Sequence, residues 1–233
     1  MIQLVINLIP KKVKKKLRTY ELFFRSMYES WLVFHRTCFN KIYRFFISAS
    51  IPRTASGQVL LNLGCGEVNH PKFINIDGYP HANIHYVSRI DRLGMFADNA
   101  VDLIYASHCL EHFKYGEVDR VLDEWHRVIK PGGIIRLSVP DIDKLIDIYN
   151  DTNDPDDIVP QLMGGQNNKY NYHYVVFNGL NLKKYLNRAG FVDVQEWIPG
   201  SCDLTTFDDF SVYHKVVNGK NYPISLNLEA KKV

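Results

Sequence analysis

Cysteine is scarce in this sequence, and no two cysteines are spaced like the paired ligands of a zinc knuckle or the thiols of a redox motif. The four are Cys38, Cys65, Cys109 and Cys202. Disulfide scaffolds of the secreted kind are rich in cysteine, so the pattern predicts a reduced chain of the cytoplasm. It also predicts no metal site built on cysteine pairs.

Long hydrophobic runs are missing as well. No apolar stretch is long enough to span a bilayer. The apolar residues 1–6 precede a cluster of lysines, which reverses the order found in a secretory signal. We therefore expect a cytoplasmic protein without a membrane-spanning segment.

Acidic residues are rare in the first part of the chain. Residues 1–53 contain eleven lysines and arginines but only two glutamates, whereas residues 54–233 contain seventeen basic and twenty-three acidic residues. This asymmetry predicts a basic arm, residues 1–53, before a mildly acidic domain. The acidic domain lacks an evident basic groove, so no nucleic-acid partner is expected.

The arm has a helical pattern with a polar break near Pro10, and residues 20–47 mix aromatic with basic side chains. One interpretation is a helix that packs on the main domain or on a second copy in a dimer. A second is a helix that lies on the inner face of the membrane, where aromatics enter the interface and Lys and Arg meet lipid phosphates. A third is contact of the basic arm with nucleic acid.

Residues 58–233 alternate short apolar runs with helical patterns, which is typical of an α/β fold with a parallel sheet. The predicted strands are 59–63, 73–77, 84–87, 101–106, 134–139, 192–197 and 224–230. The predicted helices are 116–130, 141–149 and 182–189, and residues 150–178 look like a long polar loop. We expect a doubly wound, mostly parallel seven-stranded sheet with an N-terminal helical arm.

A glycine turn follows the first predicted strand. Gly64 and Gly66 allow the backbone to bend sharply and to approach a ligand closely. Asp77 ends the second strand, where a carboxylate can accept hydrogen bonds from two ribose hydroxyls. A dinucleotide site would need a third glycine and a helix N-terminus, but Glu67 and Pro71 follow here. The turn therefore suits a nucleoside whose far end is not a phosphate.

These motifs, in this order, resemble the class I (Rossmann-like) S-adenosylmethionine-dependent methyltransferases over about residues 58–230. The residues that carry the resemblance are 62–66, 75–77, 95–108, 110–113 and 129–133. They look most like the type 11 branch, which is often associated with the synthesis of bacterial surface polysaccharides.

The resemblance implies an enzyme that uses S-adenosyl-L-methionine and releases S-adenosyl-L-homocysteine. It implies that the turn holds the methionine and ribose part of the cofactor and that Asp77 binds the ribose. It also implies that residues 88–91 lie near adenine, and that Ser107 and His108, after the fourth strand, flank the sulfonium. The predicted cofactor residues are Asn62, Gly64, Cys65, Gly66, Asp77, Ser88, Asp91, Ser107 and His108. Asn62 and Val68 depart from the family pattern, which commonly has an acidic residue and a third glycine there.

Methylation of a hydroxyl also requires removal of a proton, for which histidine is suited because it titrates near neutrality. His108, just past the fourth strand, and His173, in the polar loop, are the candidate bases, although either can instead make a structural contact. Asp141 can orient a base or a sugar hydroxyl, or it can cap the following helix. His108 and His112 have a spacing that metal sites use, but no third ligand is evident, so we predict no metal.

Three functions remain open. The first is methyl transfer to a hydroxyl, or to a sugar-attached group, of a cell-surface polysaccharide or its precursor, because the aromatic and amide residues of 165–178 suit a glycan. The second is methyl transfer to a small metabolite or a lipid, which an apolar pocket around Trp197 and Phe210 would favour. The third is a methyltransferase-like fold that binds cofactor or partner without turnover.

Overall fold

The computed structural model describes residues 20, 23–24, 26–28, 30–32, 34–35, 38, 52, 54–81, 83–201 and 208–233. The chain divides into two compact units, Met1–Ser48 and Ala49–Val233. In the first unit the described residues between 20 and 38 are helical. Most of the predicted basic arm lies outside the described residues, so its membrane or dimer contact stays a prediction. Among the described residues, no helix combines the length and hydrophobicity needed to cross a bilayer.

The second unit is built on a seven-stranded sheet. Its strands are β1 (Leu60–Leu63), β2 (Ile74–Asp77), β3 (Tyr86–Val87), β4 (Val101–Ser107), β5 (Ile129–Pro140), β6 (Phe191–Glu196) and β9 (Ser225–Lys232). They lie in the order β3-β2-β1-β4-β5-β9-β6; the neighbours from β3 to β5 are parallel, and β9 runs antiparallel to both β5 and β6. The sheet is seven-stranded and mostly parallel and is flanked by helices, so the predicted fold class is confirmed.

Among the described residues of this unit, four α-helices accompany the sheet: α1 (Val118–Val128), α2 (Ile142–Thr152), α3 (Val159–Met163) and α4 (Gly179–Arg188). The apolar stripe of α1, which includes the fully buried Trp125, joins α4 and one face of the sheet in the main hydrophobic core. A smaller core forms where α2 meets a two-stranded hairpin of β7 (His214–Val217) and β8 (Lys220–Pro223).

Two elements differ from the sequence prediction. The segment 150–178, expected as a loop, contains α3 and a single 3-10 turn at Pro155–Asp157. The β7–β8 hairpin was not predicted at all. Its turn places Asn218 and Gly219 at φ of 51° and 77°, the left-handed backbone that an Asn-Gly hairpin turn adopts.

Candidate functional site

The strand order reverses at β1, which has β2 on one side and β4 on the other. Open α/β sheets bind ligands at the carboxyl ends of the strands beside such a switch point. A cavity of about 450 Å³ lies there. It is lined by the glycine turn, the end of β4, the segment 160–173 and the segment 209–213, with Asn62, Pro140 and Ile224. A second cavity, of about 440 Å³, lies at the opposite edge of the sheet and holds none of the predicted site residues.

Gly64 lies where two parts of the site touch. Its φ is +64°, and a Cβ built on it would stand 2.5 Å from the Cβ of Cys109. Its N–H donates to the carbonyl of Ile76 at 2.9 Å. Only glycine permits this close approach, so the turn after β1 packs directly on the segment after β4.

Gly66 has a different role in the same turn. Its φ is +51°, and no described atom lies within 4 Å of a Cβ built on it. Its N–H donates to Oδ2 of Asp77 at 2.9 Å, while the N–H of Tyr79 donates to Oδ1 at 2.6 Å. Asp77 therefore faces the turn, as predicted, and the space beside Gly66 remains open to a ligand.

Asn83 supports this turn, and the sequence prediction missed it. Its side-chain amide donates to the carbonyls of Gly66, at 3.1 Å, and Val68, at 3.0 Å. An asparagine six residues beyond Asp77 gives no signal by itself, because its partners become neighbours only when β2 pairs with β1.

Ser88 and Asp91 were both predicted to lie near adenine. The structure places the two residues in surroundings that differ from each other. Ser88 follows β3, and its N–H donates to the Asp77 carbonyl at 2.9 Å. Asp91 is buried, and its carboxylate accepts from Arg89 at 2.8 Å and from Arg120 of α1 at 2.6 Å. Burial alone would raise its pKa, but these two guanidinium groups hold the pKa at about 2. Asp91 is thus an anchor between a loop and a helix, and its contact with adenine stays a prediction.

Asn62, Cys65, Ser107 and His108, which were predicted to bind the cofactor, all line the cavity. Asn62 is buried, and its amide makes a long 3.4 Å hydrogen bond to the Asn75 side chain. Burial raises the pKa of the Cys65 thiol, with the nearby Asp77 adding to the effect, so this cysteine remains protonated.

His108 has a strained backbone, with φ of 48°, stabilised by a 2.8 Å hydrogen bond from its N–H to the Ser138 carbonyl. Its Nε2 lies 2.7 Å from the Ser225 hydroxyl, which itself donates to the Phe210 carbonyl at 2.7 Å. The Ser225 hydroxyl has a single proton and donates it to Phe210, so in its hydrogen bond with His108 the ring Nε2–H is the donor. Burial, with neighbouring His173 and His112, lowers the pKa of His108 to about 3.

His173 reaches the cavity from the segment after α3. Its Nδ1 donates to the Gln161 carbonyl at 2.9 Å, and its N–H donates to the Met163 carbonyl at 3.1 Å. Gly164 makes this possible, because a Cβ built there would stand 2.7 Å from the Asn171 carbonyl oxygen. Burial and the nearby His112 lower the pKa of His173 to about 4, so its ring is neutral near pH 7.

Glu111 lies between these two histidines, and sequence reasoning gave it no role. It is 1% exposed, and its Oε1 is 3.5 Å from Nδ1 of His108 and 3.8 Å from Nε2 of His173. Burial raises its pKa to about 8. The only signal for Glu111 in the sequence was its place between His108 and His112. The sequence analysis considered those two histidines only as metal ligands.

Glu111, His112 and His173 are a group of described residues whose ligand atoms lie within 4.8 Å of one another. The two nitrogens of His112 already face backbone carbonyls, of Tyr172 at 3.0 Å and of His108 at 3.1 Å. The group therefore does not offer three free ligand atoms, and the absence of a metal stays a prediction.

Asp141, the third predicted catalytic residue, caps α2. Its side chain accepts from the Asp143 N–H at 3.2 Å, and Lys144 lies 3.5 Å from Oδ2. Burial raises its pKa, an effect that Lys144 partly offsets. Of the two interpretations left open by the sequence, this geometry favours the helix cap.

The Methyltransferase domain family matches residues 69–137. No curated protein matches the chain. A S-adenosylmethionine-dependent methyltransferase of Archaeoglobus fulgidus is similar, with 17% identity and a TM-score of 0.48 over 84% of this chain and 94% of that one. A Burkholderia thailandensis 1,6-didemethyltoxoflavin-N1-methyltransferase is 16% identical, with a TM-score of 0.46 over 96% and 90%. The family match and the sheet support the predicted methyltransferase enzyme with S-adenosylmethionine as cofactor.

We expect alanine at position 64 to lower mainly the stability of the protein, and alanine at position 66 to lower mainly its affinity for the ligand. Gly64→Ala forces a Cβ against Cys109 and should lower the free energy of unfolding by about 2–4 kcal/mol. Gly66→Ala should cost only about 1–2 kcal/mol of strain, yet weaken S-adenosylhomocysteine binding at least tenfold, because its methyl group enters the open space. Urea unfolding and calorimetry measure the two effects. Native affinity in Gly66→Ala would contradict this placement of the ligand.

A pair of variants tests the role of Asp141. Asparagine caps helices as well as aspartate does, so Asp141→Asn should keep stability and methyl transfer, while Asp141→Ala should lose about 1 kcal/mol of unfolding free energy and keep turnover. Chemical denaturation and an activity assay on the same preparations provide the measurements. A stable Asp141→Asn protein without activity would instead make this carboxylate part of the chemistry.

Proposed function

We propose that this methyltransferase acts on a neutral hydroxyl group, or on a group attached to a sugar, in a surface polysaccharide or its precursor. The observation that carries the proposal is the charge of the cavity. Two carboxylates, of Glu67 and Asp209, line it, and no lysine or arginine is present among the described lining residues. Such a site favours a cationic donor and disfavours an acceptor that presents a phosphate or carboxylate to it.

The chain's own residues fit S-adenosylmethionine on this account. The cofactor supplies a methyl group on a sulfonium, whose positive charge suits a cavity with carboxylates. Asp77 would bind the ribose hydroxyls, and the residues Gly64–Gly66 would lie along the methionine part. The space beside Gly66, which a side chain would fill, is the cradle that such a ligand needs. The exposed carboxylate of Glu67 argues against a phosphate there.

The far wall of the cavity suits a carbohydrate. Gln161 and Asn171 supply amides for hydroxyl groups, while Phe210 and Tyr213 supply rings against which a sugar face can pack. Cavities of this volume hold one small ligand together with part of another, so we infer that a single sugar unit enters rather than a folded polymer. The acceptor stays a proposal.

A small metabolite or a lipid is the second candidate, and one observation favours it in part. Phe210 lines the cavity, as an apolar acceptor pocket would require. Trp197, the other predicted wall, is buried instead, with its Nε1–H donating to the Leu137 carbonyl at 3.2 Å and its ring against Tyr105. Of the two predicted wall residues, Phe210 therefore lines the cavity and Trp197 does not. A binding protein without turnover is the third possibility.

The cofactor site is tested by a matched pair of aspartates. Asp77→Ala removes a carboxylate that bonds two backbone N–H groups and should weaken S-adenosylhomocysteine binding about 10- to 100-fold, as loss of charged hydrogen bonds does. Asp102 also accepts a backbone N–H, from Val59 at 2.8 Å, but at the opposite edge of the sheet. Asp102→Ala should lose stability and keep native affinity. Titration calorimetry gives both numbers, and equal affinity in both variants would refute the site.

The acceptor is tested with S-adenosylmethionine labelled at its methyl carbon and a panel of oligosaccharides. Neutral sugars should gain a label that resists mild alkali, as an ether does, whereas matched uronic acids should gain little. The cavity charge is the reason for this difference. Mass spectrometry of the products locates the methyl group. Label confined to lipids or to small metabolites would select the second candidate, and cofactor binding without any labelled product would select the third.

A further inference from the structure

A buried carboxyl group lies beside two histidines that line the cavity, and it has no assigned task. Glu111 follows β4 in a single 3-10 turn, Leu110–His112, and is 1% exposed. Within the part of the chain that the structure describes, neither of its carboxyl oxygens has a hydrogen-bond partner in another residue. A buried carboxylate without a donor is costly, so the arrangement requires an explanation.

The atoms nearest to Glu111 are ring nitrogens that have no proton to give. The Nε2–H of His108 is engaged by the Ser225 hydroxyl, so in the neutral ring Nδ1 carries a lone pair. The Nδ1–H of His173 is engaged by the Gln161 carbonyl, so its Nε2 carries a lone pair. Both of these nitrogens lie near Oε1 of Glu111, at 3.5 Å and 3.8 Å.

Three acceptor atoms that converge in this way repel one another unless a proton lies among them. We propose that Glu111, His108 and His173 form one proton-sharing unit, in which Glu111 is a positioning residue: it holds the proton between the two histidines and acts on the acceptor only through His173. The role in turnover rests on the proposed function, but the shared proton itself does not.

The surrounding charges agree with this assignment. The titratable groups that face Glu111 or its histidines are Cys109 and His112 on the same segment, His173 from the segment after α3, and Asp77 from β2. Burial raises the pKa of Glu111 to about 8 and, with the neighbouring histidines, lowers the pKa values of His108 and His173 to about 3 and 4. At neutral pH the proton therefore belongs to Glu111.

The proton balance of the reaction follows. The acceptor O–H bond breaks as the oxygen lone pair forms the new C–O bond, and the S–CH₃ electron pair stays on sulfur. The proton passes to Nε2 of His173, and the ionised carboxylate of Glu111 stabilises the resulting imidazolium or takes the proton. The unit therefore accepts a proton only after Glu111 has lost its own to solvent.

Stability against pH tests the proton without any acceptor. The folded state holds a proton on Glu111 that the unfolded chain releases near its usual pKa of 4.5, so this group makes folding less favourable as pH rises from 4.5 to 8. The folding equilibrium constant should fall by up to about tenfold per pH unit relative to Glu111→Gln, in which this change is absent. The histidines contribute an opposite slope to both proteins, and Glu196→Gln on the edge strand β6 is the matched control.

The native protein provides a second measurement if Glu111→Gln does not fold. Infrared spectroscopy should detect a protonated carboxyl group that persists at pH 7 and disappears near pH 8. Parallel pH profiles for native and Glu111→Gln proteins, or a native carboxyl band already lost by pH 6, would overturn the proton-sharing unit. Zinc binding that requires Glu111 and displaces the proton would overturn it in favour of a metal.

Turnover separates this inference from the proposed function. With an acceptor, the native rate should rise with pH through about 8 as Glu111 ionises, and Glu111→Gln should be at least tenfold slower, without this inflection and with unchanged S-adenosylhomocysteine affinity. An unaltered profile in Glu111→Gln would refute the role of Glu111 alone. Loss of cofactor binding in the native protein would instead refute the proposed function and leave the stability result standing.

Discussion

The close approach of Gly64 to Cys109 is the constraint on which the site depends. Because position 64 has no side chain, the turn after β1 rests directly on the segment after β4. The first of these segments leads to Gly66 and its bond with Asp77, and the second contains His108 and Glu111. Because residue 64 has no side chain, the half of the site that would bind a nucleoside packs directly against the half that would transfer protons.

The electrostatics of the two halves are complementary. Carboxylates line the cavity, and the lining histidines His108 and His173 are kept neutral by desolvation and by their histidine neighbours. A cationic donor thus meets no competing positive charge, and its charge is worth more in a site that excludes water. Burial also makes Glu111 a weak acid, so this residue can hold a proton beside the histidines without carrying a charge.

Local patterns predicted much of this molecule. Short apolar runs gave the strands, and the glycine turn with Asp77 gave the edge of the sheet where the cavity lies. The role of Glu111 was out of reach, because burial and the hydrogen bonds of its neighbours decide it. The ion pair of Asp91 was out of reach for a similar reason, since its partner Arg120 lies on α1, far along the chain. The β7–β8 hairpin, by contrast, had a local signal in Asn218-Gly219 that went unused.

The position of β9 has a consequence for how the protein is made. This strand lies between β5 and β6, although it is the last of the sheet to be synthesised. Until it emerges from the ribosome, β5 presents an open edge and β6 has no neighbour in the sheet. During this time the open edge of β5 can pair with strands of other chains. Chaperones that bind exposed strands would prevent such pairing in the nascent chain.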